Sequence, residues 1–309
     1  MTTTVDPRRV ECVVRGSDQL GETPLWCQRE RKLWWLDIER PRLQSLEPSI
    51  GTHDAVPFDH ATYLGSLALG DDGSQLLALD LELHRRDPAS GALSLFARVE
   101  QGLDNRLNDG RVDARGRFWV GTMDNQLHRP NGALYRVDPD GSVQRLVDGV
   151  IVSNGITFAP DGKTLHFTDT RRHMSWCFDL DLDDGTLANR RVFADHSATG
   201  ERPDGACVDA DGGIWMAFFA GRRVVRHRPD GTIDLVVPMP VTNPTCVCFG
   251  GHDLRTLYVT SAAKFLTPAQ RAAEPQAGSL FAIHGLAQGL PENLFVFKRT
   301  PSTHGVEPT

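Results

Sequence analysis

A short pattern recurs six times along this chain and constrains its fold more than any other feature. Each copy is an apolar, β-branched or aromatic run of six residues, and the copies are KLWWLD from Lys32, QLLALD from Gln75, RFWVGT from Arg117, TLHFTD from Thr164, GIWMAF from Gly213 and TLYVTS from Thr256. Successive copies begin 42 to 49 residues apart. A period of this size, with several short strands in each unit, is typical of β-propeller blades.

The segments between the copies support this interpretation. They are dense in turn signals such as GDDGS, DPASG, DPDG, APDG, DADGG and RPDG, which favours short antiparallel strands over helices. A small sheet of four strands buries both faces only when it packs between two neighbours. Six units therefore predict an all-β, six-bladed β-propeller, with four-stranded antiparallel blades around a central channel.

A closed ring requires the last blade to be joined to the first. The strand-like segment RVECVVRG (9–16) precedes the first unit, and we expect it to complete the final blade. The other strands of that blade are expected from GSLFAIHG (278–285) and NLFVF (293–297). Residues 262–277 interrupt the pattern, and a short helix on a loop is expected there.

Length and composition agree with one large core. The chain has 309 residues, of which 40% are hydrophobic, and no Pro/Ser-rich linker or change in composition divides it. We therefore predict one domain over residues 1–298 and a disordered tail over 299–309. Six cysteines lie in apolar surroundings without CxxC pairs, which favours buried free thiols over disulfides or zinc.

The charge of the chain limits its partners. The formal net charge is −7 and no long Lys/Arg run appears, which argues against a nucleic-acid or anionic-membrane partner. No apolar run approaches the ~20 residues of a membrane-spanning helix, and the N-terminus has no basic start followed by an apolar stretch. We therefore expect a cytoplasmic protein, monomeric or weakly homodimeric.

Polar residues recur at one register, just before four of the six runs. They are Glu22 in LGETPLW, Asn108 in NRLNDGRV, Asn154 in SNGITF and Asp204 in RPDGACV. Glu22 and Asn108 are 86 residues apart, which is two repeats of 43, and the next two intervals are 46 and 50. Because the innermost strands present side chains to the mouth of the channel, these four side chains are expected to converge there.

Two carboxylates and two amides suit a hard divalent cation such as Ca²⁺, Mg²⁺ or Mn²⁺, and Zn²⁺ or Fe²⁺ is also compatible. Three or four protein ligands would leave positions open for water and substrate, as catalytic metal sites require. Asn-Gly and Asp-Gly pairs also form hairpin turns, and for any one of them alone a turn is the better interpretation. The shared register is what favours a site.

Several motifs resemble those of the regucalcin (senescence marker protein)/gluconolactonase family of six-bladed propellers, and the overall pattern is similar to bacterial sugar-lactone hydrolases. The motifs are GETPLW, NRLNDGRVDARGRFWVGTM, SNGITF, NRRVF, RPDGACVDADGGIW and CFGG, in order over roughly residues 10–290. The resemblance implies one divalent metal ion held by Glu22, Asn154 and Asp204. It further implies that Arg106 and Asn108 hold the substrate, and that the activity is hydrolysis of a sugar lactone.

One stretch departs from that family. Its animal members carry a Glu shortly after the GTM motif that helps to select substrate hydroxyls, whereas here the corresponding place in the 124–131 loop falls near Gln126. We therefore assign Gln126 to substrate binding, and the sugar preferred by the animal members does not transfer to this chain.

The leading hypothesis is a metal-dependent lactonase, a carboxylic ester hydrolase that opens an aldono-1,4- or 1,5-lactone such as a glucono-, galactono-, xylono- or arabinonolactone. Asp204 is the expected general base, and the cation would polarise the carbonyl. One alternative is a propeller hydrolase of phosphotriesters or aryl esters with a similar metal centre. Another is a calcium-binding propeller without catalysis.

Overall fold

The computed structural model describes residues 2–298, which form six antiparallel sheets arranged around a central axis. Two strands precede the first complete sheet: β1 (Thr3–Thr4) and β2 (Glu11–Val14). Blade 1 comprises β3 (Gly21–Cys27), β4 (Lys32–Asp37), β5 (Arg42–Glu47) and β6 (Thr52–Pro57). Blade 2 comprises β7 (Leu64–Leu69), β8 (Gln75–Leu79), β9 (Glu82–Arg86) and β10 (Leu93–Arg98). Blade 3 comprises β11 (Asn105–Val112), β12 (Phe118–Asp124), β13 (Gly132–Val137) and β14 (Val143–Val150).

The second half of the ring repeats this arrangement. Blade 4 comprises β15 (Ser153–Phe158), β16 (Thr164–Asp169), β17 (Met174–Leu180) and β18 (Leu187–Asp195). Blade 5 comprises β19 (Arg202–Val208), β20 (Ile214–Phe219), β21 (Arg223–His227) and β22 (Ile233–Pro238). Blade 6 comprises β23 (Pro244–Gly250), β24 (Thr256–Ser261), β25 (Leu280–His284) and, at its outer edge, β2.

The predicted six-bladed propeller is therefore confirmed. The six repeated runs form the second strand of each blade, from β4 to β24. The innermost strands, which are β3, β7, β11, β15, β19 and β23, contact one another in sequence around the channel. The contact between β23 and β3 closes the ring.

The N-terminal segment joins the ring as predicted. Strand β2 pairs antiparallel with β25, with Cys12 opposite Phe281. Upstream of it, β1 adds an unpredicted fifth strand to blade 5 by pairing parallel with β22. The expected helix in the interrupted segment is also present as α1 (Pro268–Ala273), capped by the Thr267 side chain. Two 3₁₀ turns lie at Pro7–Arg9 and Thr170–Arg172.

The prediction that residues 293–297 belong to the final blade was wrong. The Phe295 amide donates to the Leu69 carbonyl in blade 2, and the Val296 amide donates to Gly116 in blade 3. Phe295 and Phe297 lie in the core between those two blades. Because β2 already fills the outer edge of β25, the apolar side chains of this segment find their burial at blades 2 and 3 instead. The predicted tail, 299–309, lies outside the described residues.

A separate hydrophobic core fills each of the six interfaces between adjacent blades. Buried tryptophans recur in these cores. The indole N–H of Trp119 donates to Asp113, and that of Trp215 donates to Asp209, at 2.8 Å in both cases. All six cysteines are free thiols. Within residues 2–298 no helix has the length and apolarity needed to cross a membrane.

Candidate active site

All six innermost strands share an irregularity at one end of the channel. The pairing of each strand with its neighbour shifts at the same place, after Glu22, Leu64, Asn108, Asn154, Pro203 and Pro244. A bulge of this kind bends the strand and re-aims nearby side chains. In this ring it sets the direction of the side chains at the channel mouth.

The four polar residues of the repeat register meet at these bulges. Glu22, Asn108, Asn154 and Asp204 line one pocket, and each side chain is at most 5% exposed. The pocket is open to solvent and encloses about 580 Å³. The structure thus brings together the side chains that the register predicts to converge, while their roles as ligands and catalyst stay predictions.

Blade 2 has Gly65 at the corresponding bulge and contributes no side chain. A Cβ atom at Gly65 would lie 2.0 Å from the Leu107 carbonyl oxygen of blade 3. This close approach of two backbones explains why the repeat loses its polar residue in this unit.

The two amides are held by hydrogen bonds that cross three blades. Asn108 Nδ2 donates to Asn154 Oδ1 at 2.9 Å and to the Ser153 carbonyl at 2.7 Å. Asn154 Nδ2 donates to Thr170 Oγ1 at 2.8 Å, and this hydroxyl donates to the Pro203 carbonyl at 2.7 Å. Because the amide hydrogens are engaged on these partners, the orientation of both side chains is set before any ligand binds.

The two carboxylates are buried with little compensation. Glu22 accepts a hydrogen bond from the Thr23 amide at 3.0 Å, and neither it nor Asp204 forms an ion pair within residues 2–298. Burial raises the pKa of Glu22 to about 8, and the charge of Asp109 adds to this shift. Burial and the Glu22 carboxylate raise the pKa of Asp204. Mutual repulsion of buried carboxylates is the electrostatic condition that a bound cation relieves.

The oxygen donors of the pocket fit a divalent metal when the Asn154 amide is counted with the two carboxylates. Within the described part of the chain no group of three His, Cys, Asp or Glu side chains is placed to hold an ion. Glu22 and Asp204 supply only two such ligands, so the Asn154 amide oxygen would have to be the third. An all-oxygen set of two carboxylates and an amide suits a hard cation.

Arg106 is a cation whose positive charge acts on both of these carboxylates. Its side chain is buried, only 4% exposed, and lines the pocket beside Asn108 as the extended backbone predicts. One guanidinium nitrogen donates to Asn108 Oδ1 and to the Leu107 carbonyl. The guanidinium also lies over the Tyr63 ring, 5.5 Å from its centroid. Arg106 is thus fixed in place with donors left for a ligand.

Asp109 is a buried acid that the sequence analysis did not single out; it does not line the pocket, but its charge acts on Glu22 and Asp204. It lies within β11 as the extra residue of the bulge. Its Oδ2 accepts a hydrogen bond from the Ile156 amide of blade 4 at 2.8 Å. Burial raises the pKa of Asp109. The sequence Asn-Asp-Gly is typical of a turn, and it therefore gave no indication that Asp109 is buried within a strand.

Gln126 is the one predicted site residue that the structure does not bring to the pocket. Its side chain is exposed, and Nε2 donates to Asp104 Oδ2 at 3.2 Å. The next residue, Leu127, has a positive φ of 63° and lines the pocket in its place. The 124–131 loop therefore presents an apolar side chain where a polar one was expected, and substrate binding by Gln126 stays a prediction.

A second set of pocket residues also escaped the sequence reasoning. They are Leu20, Val152 and Arg202, which lie two residues before Glu22, Asn154 and Asp204, just as the predicted Arg106 lies two residues before Asn108. Side chains two residues apart on an extended strand share one side, so this alternation applied to Asp204 identifies Arg202. The remaining lining residues come mainly from loops, where the repeat gives no register, and are Met123, Leu127, Thr170, Arg171, Phe219, Lys264 and Phe265.

Comparisons with known proteins identify relatives of this chain. The sequence model described as the SMP-30/Gluconolactonase/LRE-like region matches residues 20–263. A 6-deoxy-6-sulfogluconolactonase of Pseudomonas putida is 37% identical over 288 residues, which are 93% of this chain and 98% of that protein. Regucalcin of Xenopus laevis is 33% identical over 285 residues, covering 90% and 95% of the two chains.

A solved structure extends the similarity to three dimensions. It is that of regucalcin from Agrobacterium tumefaciens, described as a calcium-binding protein, and it superimposes with a TM-score of 0.88 at 33% identity. The alignment covers 92% of this chain and 96% of the other.

Proposed function

Because the chain belongs to the SMP-30/gluconolactonase/LRE-like family, we propose that it is a lactonase that opens an aldono-1,4- or 1,5-lactone to the sugar acid. The observation that carries this proposal is the convergence of Glu22, Asn108, Asn154 and Asp204 on one open pocket beside Arg106. The name of the Pseudomonas putida relative, a sulfogluconolactonase, supports a sugar lactone as the class of substrate.

We propose that Glu22, Asn154 and Asp204 hold one divalent cation, with Ca²⁺, Zn²⁺, Mg²⁺, Mn²⁺ and Fe²⁺ as candidates. When bound, such a cation supplies Lewis acidity at the lactone carbonyl and lowers the pKa of a nearby water. The raised pKa values of the buried Glu22 and Asp204 carboxylates support this assignment.

We propose that Asp204 acts as the general base. Its pKa is raised by burial and by Glu22, so its carboxylate takes up a proton more readily than an exposed aspartate does. No side chain of residues 2–298 engages its oxygens as an ion pair, which leaves the carboxylate available to a water in the pocket. Proton transfer from that water to Asp204 would accompany its attack on the carbonyl carbon.

Arg106 and Asn108 orient the substrate in this scheme. The Arg106 guanidinium retains donors for the hydroxyl or ring oxygens of the lactone, and its buried position makes those contacts strong. Asn108 stands between Arg106 and Asn154 and so couples substrate binding to the proposed metal site. Leu20, Val152 and Met123 provide apolar wall for the C–H face of a sugar ring.

A lactone panel tests the proposal. Purified protein is treated with a chelator, each divalent metal is added back, and acid release from aldonolactones is followed at constant pH. We expect at least one lactone to open well above the buffer rate, and Asp204→Asn to lower kcat about 100-fold or more. Asp54→Asn, an exposed aspartate on β6, is the matched control and should leave turnover unchanged.

Two results would contradict the proposal. One is faster turnover of paraoxon or phenyl esters than of every lactone, which would make the protein an esterase or phosphotriesterase. The other is unchanged activity and metal affinity in both Asp204→Asn and Asn154→Ala, as a propeller without catalysis predicts.

A further inference from the structure

The charge of the pocket differs in sign from that of the chain. The protein carries a net charge of −7, yet four cationic side chains and only two carboxylates line the pocket. The cations are Arg106, Arg171, Arg202 and Lys264. A neutral sugar lactone gives no electrostatic reason for this excess of positive charge.

Two of these four cations have partners in the protein. Arg106 is buried against Asn108 and couples to Glu22 and Asp204. Lys264 forms an ion pair with Glu39. Arg106 therefore belongs to the interior of the site, and Lys264 belongs to its wall.

The other two, Arg171 and Arg202, have no such partner. Within residues 2–298 neither guanidinium forms an ion pair, because the neighbouring acids are already taken. Asp169 pairs with Arg172, and it also accepts hydrogen bonds from the backbone amides of Ile151 and Val152. Glu201 pairs with Arg223.

Both arginines line the pocket, and a hydrogen bond joins the residues that adjoin them in the chain. The Thr170 hydroxyl donates to the Pro203 carbonyl at 2.7 Å, so Arg171 and Arg202 lie directly beside the two ends of one hydrogen bond. Arg202 is two residues before Asp204 on β19 and projects to the same side of the strand. Asp204 is buried whereas Arg202 is half-buried and Arg171 is exposed, which orders the three from the interior to the mouth.

We infer that Arg171 and Arg202 bind a tetrahedral oxyanion, a sulfonate or a phosphate, carried by the substrate at the carbon farthest from the lactone carbonyl. This rests on the proposed lactonase function of the same pocket. Two planar guanidinium groups offer several N–H donors, and a group with three terminal oxygens can accept from both of them. The carbonyl then lies at Asp204 in the interior, and the anion lies at the mouth.

The test compares neutral and anionic lactones on the full chain. Glucono-1,5-lactone, 6-phosphoglucono-1,5-lactone and 6-deoxy-6-sulfoglucono-1,5-lactone are assayed with the wild type and with Arg171→Met, Arg202→Met and the double variant. We expect the wild type to prefer one anionic lactone about 10- to 100-fold in kcat/KM, and the double variant to lose that preference. The loss should appear in KM, because the anion is held equally in the ground state and the transition state.

Controls separate a lost anion site from a damaged protein. The double variant should open the neutral lactone within about 3-fold of the wild type, and Arg202→Lys should retain part of the preference because it keeps the charge. Arg255→Met, at an exposed arginine away from the pocket, should leave all rates unchanged. The relative rates of the two anionic lactones decide between phosphate and sulfonate.

A direct binding measurement keeps this inference distinct from the proposed activity. Calorimetric titration with 6-phosphogluconate and 6-deoxy-6-sulfogluconate should show binding that the double variant loses. Equal kcat/KM for neutral and anionic lactones, or equal loss of both in the double variant, would overturn the inference. If no lactone opens faster than in buffer, the lactonase proposal fails. The titration then decides the anion site by itself: loss in the double variant supports it, and no difference refutes it.

Discussion

Arg106 and Arg202 hold the same position in two different repeats, two residues before a polar residue at a bulge, but their surroundings differ. Arg106 is buried and hydrogen-bonded to Asn108, whereas Arg202 is half-buried at the pocket mouth without an acidic partner among the described residues. In the proposed scheme the same residue type at the same register therefore serves the reacting end of a substrate in one blade and its distal end in another.

The proposed role of Arg106 can be separated from that of the proposed metal ligands. Arg106→Ala should lower lactone kcat/KM by about 100-fold or more, since a fixed donor to the substrate is lost from a buried site. The affinity for Ca²⁺, measured by calorimetry, should change much less, because Glu22, Asn154 and Asp204 remain. Arg15→Ala, an exposed arginine outside the pocket, serves as the control. Parallel losses of turnover and metal affinity would show that Arg106 acts only by supporting the metal site.

At the scale of elements, the segment that follows blade 6 (292–297) has a structural role that its strand-like sequence does not predict. Glu292 forms an ion pair with Arg111 of β11 at 2.7 Å, and both side chains are mostly buried. Asn293 Nδ2 donates to the Val112 carbonyl at 3.1 Å, and Phe295 follows in the core between blades 2 and 3. The segment thus ties the end of the ring to its opposite side.

The buried ion pair predicts a non-additive response to mutation. Glu292→Leu should lower the free energy of unfolding by about 3–5 kcal/mol, because it leaves the Arg111 charge buried without a partner. The double variant Arg111→Leu/Glu292→Leu should be more stable than Glu292→Leu alone, since it removes that charge as well. Urea unfolding of the wild type, both single variants and the double variant measures this. Additive losses would show that the pair contributes no mutual stabilisation.

At the scale of the whole molecule, stability depends on six separate interface cores, and the one between blades 4 and 5 contains histidines. His166, His196 and His227 pack there with Phe193 and Phe218. Both ring nitrogens of His227, Nδ1 of His166 and Nε2 of His196 have no hydrogen-bond partner within residues 2–298. Burial lowers the pKa of His227 to about 3 and that of His166 to about 4, and the nearby Arg191 and Arg223 act in the same direction.

This core predicts destabilisation in mild acid. The unfolded chain protonates these histidines below about pH 6.5, whereas the folded chain keeps His166 and His227 neutral down to about pH 4 and pH 3. The contribution of these two histidines to stability is therefore complete above about pH 6.5 and falls as the pH decreases, by about 2 kcal/mol for each histidine by pH 5. The raised pKa values of Glu22, Asp109 and Asp204 act in the opposite direction. Urea unfolding at pH 7.5 and pH 5.0 measures the loss.

His227→Leu should remove a clear part of this pH dependence, whereas His252→Leu, at an exposed histidine, should not. A pH dependence identical in His227→Leu and in the wild type would contradict the prediction and would assign the acid sensitivity to other groups.

The sequence by itself determined the features that follow from periodicity. Side chains alternate along a strand and the blade repeats every 42 to 49 residues, so a residue's place in the repeat specifies its distance from the channel. That sufficed for the six blades, for closure by residues 9–16 and for the convergence of Glu22, Asn108, Asn154 and Asp204. The same rule applied two residues earlier would also have identified Arg202.

Only the tertiary structure decided what depends on contacts between loops and distant strands. Residues 293–297 have a strand-like sequence, yet they pack against blades 2 and 3 because β2 occupies the outer edge of blade 6. Gln126 is drawn to Asp104, and Arg171 reaches the pocket because Thr170 bonds to Pro203 in the next blade. Loops have no sequence period. The direction of their side chains is therefore set by the hydrogen-bond and packing partners that the folded chain brings near them.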